Sequence, residues 1–210
     1  MKPWLNIRCN MKDEAVLYIY GQGGNIAEAR HYEGLFSGAD IIGFDYSSVY
    51  PWDARIEFRD KIIELSLKYQ KISVIANSIG SYFLMNADVS DYIDKAFFIS
   101  PVVDMESLIM KMMMWNGVSE EELKEKKVIH NNYGDDLSYE YLEYVRNNPV
   151  IWNVKTFILY GAKDNLQSKD VIDEFVDKHK AILTVFKNSE HYIHTDEEMQ
   201  LLDEWIIKNL

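Results

Sequence analysis

Three side chains able to combine into nucleophilic machinery occur in the order Ser78, Asp164, His191, each a few residues after an apolar run. A serine hydroxyl is a weak nucleophile until a neighbouring base takes its proton. A histidine is such a base, and a carboxylate behind the imidazole fixes its tautomer and stabilises the imidazolium. Ser78 lies in Val74-Ile75-Ala76-Asn77-Ser78-Ile79-Gly80, with small residues two places before and two after it. A sharp strand-to-helix turn that projects a serine outward needs that spacing. The usual pattern has glycine at the first small site, and Ala76 keeps the site small. A serine before a helix is also the commonest kind of N-cap. The motif by itself does not choose between nucleophile and cap.

The partners of Ser78 have competing readings too. Tyr20-Gly21-Gln22-Gly23-Gly24-Asn25 follows a strand pattern and precedes a helical one. Its backbone can approach a ligand closely, which makes the amide of Gln22 a candidate oxyanion donor beside that of Ile79 at a helix N-terminus. The alternatives are an ordinary tight turn or a dinucleotide site with Asp45 as the ribose-binding acid. The later glycine of the dinucleotide fingerprint and the Lys-Ser/Thr of a P-loop are both missing. Asp164, in Tyr160-Gly161-Ala162-Lys163-Asp164-Asn165, is a candidate acid at the carboxyl edge of a sheet, or a turn former. In Asn188-Ser189-Glu190-His191-Tyr192-Ile193-His194-Thr195, His191 lies in the loop and is preferred as base. His194 reads as a helix-entry or packing residue. The pair lacks a metal-binding arrangement, so no metal is expected. His31, His130 and His179 are assigned no role.

Certain elements must position these groups. Apolar runs at 15–20, 40–45, 72–76, 96–100, 156–160 and 182–186 read as strands covered on both faces, with a weaker edge-strand candidate at Leu5–Cys9. Helical patterns occupy 25–36, 53–69, 79–87, 168–180 and 195–209, with Asp53 the expected N-cap of the second. The alternation predicts a three-layer α/β fold, a mainly parallel sheet with helices on both faces. A stretch from about 104 to 152 breaks the rhythm with three helical patterns at 105–115, 119–127 and 138–147. Ser119 and Glu122 suggest a capping box at the second. This stretch is expected to be a small helical cap inserted in a single domain, residues 1–210. Met105, Ile109, Met110, Met112, Met113, Met114 and Trp115 make its first helix rich in methionine. They pack the cap on the sheet end or line an adaptable apolar pocket.

Composition narrows the partners. Asp plus Glu outnumber Lys plus Arg by 34 to 22, a formal charge of −12. Such a field repels phosphate backbones and anionic membrane surfaces, so neither nucleic acid nor membrane is an expected partner. A small-molecule substrate without a cofactor is expected, and a homodimer is left open. Cys9 is the single cysteine. It fits a reducing compartment, and with no apolar leader pattern in the first residues a cytoplasmic location is expected.

Together, "IYGQGGN", "VIANSIGSYF", "LYGAKDN" and "SEHYIHTDEE" resemble the α/β-hydrolase superfamily over nearly the whole chain. The resemblance implies a serine hydrolase with Ser78 as nucleophile, His191 as base, Asp164 as acid, and the amides of Gln22 and Ile79 as oxyanion donors. It places the insertion after Ser100-Pro101 where the superfamily carries its cap. Tyr20 stands where many members have a histidine, and Ala76 replaces the first elbow glycine. The activity this implies is cleavage of a small ester, carboxylesterase-like. A thioesterase or acyltransferase using the same three residues, and a non-catalytic ligand-binding protein, are the alternatives.

Overall fold

The computed structural model describes residues 12–130 and 136–210. Its centre is a six-stranded sheet formed by β1 (Lys12–Ile19), β2 (Asp40–Gly43), β3 (Tyr69–Asn77), β4 (Lys95–Ile99), β7 (Lys155–Gly161) and β8 (Ile182–Phe186). The order is β2-β1-β3-β4-β7-β8, and every pairing is parallel. The expected edge strand at Leu5–Cys9 lies outside the described residues.

Alternation along the strands divides the interior into two cores, because successive side chains point to opposite faces. Leu17, Val74, Ala76, Phe98 and Ile158 point to one, with α1 (Pro51–Ser66) and α2 (Ile79–Asn86). Val16, Tyr18, Ile75, Phe97 and Leu159 point to the other, with α7 (Asp196–Lys208) and a 3₁₀ helix, Ile26–Tyr32. This is why the strands read as unbroken apolar runs.

Helix boundaries depart from expectation in instructive ways. The first helical pattern, 25–36, forms the 3₁₀ helix, whose three-residue period puts Ala29 and Tyr32 on one buried face. Asp53 is not an N-cap. Pro51 occupies the first turn of α1 and holds Tyr50 extended ahead of it, so the helix begins upstream of Asp53. The same helix ends at Ser66, and Tyr69 opens β3, paired with Lys12.

Between β4 and β7 lie α3 (Met105–Asn116), α4 (Glu120–Lys126) and α5 (Tyr139–Asn147). Ser119 accepts from the Glu122 amide, but the Glu122 carboxylate turns to Lys126 Nζ (2.7 Å) instead of closing a capping box. A two-stranded antiparallel ribbon, β5 (Val128–Ile129) with β6 (Leu137–Ser138), was not foreseen. Its strands are too short for a periodic signal. Last among the helices before β8 is α6 (Lys169–His179), capped by Ser168.

Sheet order sets up a crevice. β1 leads outward to β2, while β3, on its other side, leads toward β4. The chain leaving β1 enters the 3₁₀ helix on one face, and the chain leaving β3 enters α2 on the other. Strand ends diverging in this way leave an opening at the carboxyl edge of a parallel sheet.

Candidate active site

The turn at Ser78 comes first. Its backbone has φ 49° and ψ −123°, and its side chain makes no bond to the helix that follows. A non-glycine residue held there costs of order 1–3 kcal/mol. The turn is held by Ser78 N–H donating to Ile99 O, and by Ser78 O accepting from the amides of Ser81 and Val102, all at 3.1 Å. At Gly80 an added Cβ would lie 2.6 Å from Ile19 Cγ2 and 2.7 Å from Tyr20 O. Only a hydrogen fits there, so α2 presses against β1 and the elbow stays sharp. Buried Phe83, Leu84 and Met85 anchor α2, each contributing about 1.5–3 kcal/mol through burial.

Freed from capping, Ser78 Oγ meets His191 Nε2 at 2.8 Å. His191 Nδ1 lies 2.7 Å from Asp164 Oδ2. The Asp164 side chain has no exposed surface, and that of His191 is 18% exposed. The other Asp164 oxygen, Oδ1, accepts from the amides of Leu166 (2.7 Å) and Gln167 (3.2 Å). One carboxylate oxygen is thus fixed by backbone, and the other is left for the imidazole. The turn reading of Asp164 and the acid reading are the two ends of one group.

Two loops must come together for this. The amide of Lys163 donates to Ser189 O and that of Ala162 to Phe186 O, both at 2.9 Å. The second loop is held to α7 by Glu198, which accepts from the amides of His194 and Thr195 (3.1 Å each). The Ser189 side chain and those amides pull the Glu198 carboxyl down to about 2. His194 sits at this helix entrance with its ring stacked on Tyr192. Its Nδ1 lies 2.9 Å from Tyr192 O, and the imidazole at Ser78 Oγ is that of His191.

Ile79 is the first residue of α2, so its amide has no partner within the helix. Gln22, Ser78 and Ile79 line one cavity of about 400 Å³. The rest of its wall is mainly apolar: Val102, Leu108, Ile109, Met112, Tyr141 and Leu166. The methionine-rich helix has both of its expected uses. Met113 is buried in the core and Met112 faces the cavity, while Met110 and Met114 are exposed.

Sequence reasoning missed several contributors. Leu108, Tyr141 and Leu166 carry no motif. Gln167 is fully buried. It accepts from the amides of Val103 (3.1 Å) and Asp104 (2.9 Å) and donates to Asp104 O (3.1 Å), which ties the start of the insertion to the Asp164 turn. Tyr160, its phenol pushed above the ordinary value by burial and by Asp164, donates to Gln167 O. Behind the glycine loop, Asn77 Nδ2 donates to Tyr18 OH (2.9 Å), which donates to Glu28. The Asn25-x-x-Glu28 spacing was the available signal, and those residues form a capping box.

A parallel sheet, an insertion after its fourth strand, and a serine elbow facing a histidine loop are together diagnostic when compared with solved structures. Est1E from Butyrivibrio proteoclasticus with bound ferulic acid superposes at a TM-score of 0.71, with 15% identity, over 96% of this chain and 90% of the other. The chain has the α/β-hydrolase fold. Alpha/beta hydrolase domain-containing protein 10 from mouse aligns at 0.68 and 14% identity, covering 93% and 88% of the two chains. The propionate-bound esterase Est2 from Thermogutta terrifontis aligns at 0.62 and 17%, covering 95% and 85%. No family model and no curated protein sequence matches. Within this fold, Ser78, Asp164 and His191 occupy the loops after β3, β7 and β8. Among the described residues, no group of three or more His, Cys, Asp or Glu is placed to hold a metal ion. Among the same residues, no helix is long and apolar enough to cross a membrane.

Proposed function

We propose that this protein is a serine hydrolase that cleaves an ester-type substrate through an acyl-enzyme intermediate. The observation that carries this reading is the continuous hydrogen-bonded line from Ser78 Oγ through His191 to Asp164, at 2.8 and 2.7 Å. Ser78 attacks the carbonyl carbon while His191 Nε2 takes its proton. The oxyanion is received by the amides of Ile79 and Gln22. His191 then returns the proton to the departing oxygen as the C–O bond breaks, and water repeats the sequence on the acyl-serine. Asp164, shielded from water and pinned through Oδ1, keeps Nδ1 protonated so that Nε2 faces the serine as acceptor.

The apolar cavity beside Ser78 supports an apolar acyl group. Two neighbours of the same fold hold a ferulic acid and a propionate, and both ligands are carboxylic acids of the kind such an acyl group would release. Fluorophosphonate labelling tests the reading directly. Wild-type protein should be labelled and Ser78→Ala should not. Hydrolysis of p-nitrophenyl esters should fall by about 10⁴-fold or more in that variant. Undiminished turnover by Ser78→Ala would remove the nucleophile assignment.

A further inference from the structure

The two amides assigned to the oxyanion sit on separate segments, Gln22 on the loop after β1 and Ile79 at the start of α2. Two donors stabilise developing charge well only when their separation is fixed before the reaction. Some contact must therefore hold that loop against α2. The two residues ahead of Gln22 rest on the elbow. A Cβ on Gly21 would lie 2.9 Å from Ser78 Cβ, and one on Gly80 would lie 2.7 Å from Tyr20 O. The Tyr20 carbonyl is thus pressed against the residue that follows Ile79.

Packing keeps the loop from moving inward, but it does not keep it from lifting away. That second restraint comes from the loop after β2, through a reciprocal exchange. Tyr46 OH donates to Tyr20 O, and Tyr20 OH donates to Tyr46 O, both at 2.9 Å. The two rings stack, with centroids 4.5 Å apart and planes 18° from parallel. Burial raises both phenols above their ordinary value, so both keep the protons they donate. Tyr46 is itself well fixed. Its ring packs edge-to-face with Phe58 of α1 and Phe83 of α2, at centroid distances of 5.0 and 6.1 Å. The next two amides, those of Ser47 and Ser48, donate to Glu57 of α1 at 3.0 and 2.9 Å. Tyr46 therefore ties the Tyr20 carbonyl to the same helix that carries Ile79, with its hydroxyl on the loop and its ring on α2.

Building on the serine-hydrolase reading, we propose that Tyr20 and Tyr46 are positioning residues for the oxyanion hole, setting the separation of the Gln22 and Ile79 amides through the Tyr20 carbonyl. Tyr46→Phe keeps the stacked rings and removes only the bond to Tyr20 O. With a p-nitrophenyl ester, kcat should fall by about tenfold or more while KM stays nearly constant. The deciding readout is a trifluoromethyl ketone inhibitor. Ser78 Oγ adds to its carbonyl carbon, His191 takes the serine proton, and the carbonyl electron pair becomes an oxyanion held by the two amides. Its inhibition constant should weaken by the same factor as kcat/KM. That of the corresponding alcohol, which forms no adduct, should not move. A pair that only closed the core would lower the melting temperature and leave both constants as they are. Tyr20→Phe, which removes the reverse bond, carries the same comparison if Tyr46→Phe does not fold. Unchanged kcat, or a fall in kcat without weaker ketone binding, overturns the proposal while fluorophosphonate labelling of Ser78 still stands. Failure of Ser78 to label and of every ester to turn over would instead strike the hydrolase reading itself.

Discussion

Gly161 and Glu190 meet where no side chain fits: a Cβ on Gly161 would lie 2.2 Å from the carbonyl oxygen of Glu190 and 2.6 Å from that of Ser189. Both obstacles are backbone, so neither can swing aside. The loop that carries the imidazole rests directly on the end of the strand that carries its carboxylate. Gly161→Ala should push His191 away from Asp164 and Ser78. A displacement of about 1 Å costs on the order of 10²-fold in rate. The fall should appear in kcat more than in KM, measured with a p-nitrophenyl ester beside a thermal melt that confirms the protein is folded.

Asp164 has separable duties, because Oδ2 serves the imidazole and Oδ1 serves two backbone amides. Asp164→Asn keeps an acceptor for those amides but offers the wrong partner to His191. Its activity should drop by about 10⁴-fold with little change in melting temperature. Asp164→Ala loses both contacts and should also melt earlier, since each buried amide left unpaired costs about 1–3 kcal/mol. Equal activities in the Asn variant and the wild type would dismiss the orienting role.

The apolar cavity should be readable from chain length. Met112 lines it and is only partly buried, so a larger side chain is accommodated without disturbing the core. Met112→Trp should lower kcat/KM for octanoyl esters by about tenfold relative to acetyl esters, the cost of displacing a few methylene groups. A ratio of octanoyl to acetyl turnover that does not move would place the acyl chain elsewhere.

Glu198 gives the histidine loop a pH dependence. Its carboxyl is lowered from 4.5 to about 2, first by the Ser189 side chain and then by the Thr195 and His194 amides. A group whose folded-state value is depressed adds stability above its unfolded value and loses it as pH falls through the folded one. The difference in melting temperature between wild type and Glu198→Gln should therefore be full above about pH 4.5 and shrink steadily toward pH 2. A difference constant across that interval would deny the ionised carboxylate this role.

Much of this was written in local pattern. The strands were legible because a parallel sheet covered on both faces demands unbroken apolar runs. Ser168 and Thr195 announced helix starts with their own side chains. Asp53 misled because Pro51, two residues earlier, has the stronger claim on a first helical turn. The site residues were legible because each directly follows a strand. The chain alone therefore determined which hydroxyl, imidazole and carboxylate were available, and at which edge of the sheet they would gather.

What only the tertiary structure decided is how they meet. Ser78 is kept from capping α2 by a backbone turn that long-range packing enforces, through Gly80 against β1. The Asp164–His191 contact, the clamp made by Gln167, and the two cavities that meet at Ser78 join residues tens of positions apart. The physical reason is that chain spacing encodes which groups can share a helix or strand face, whereas contact between loops depends on how whole elements pack, and no short motif carries that.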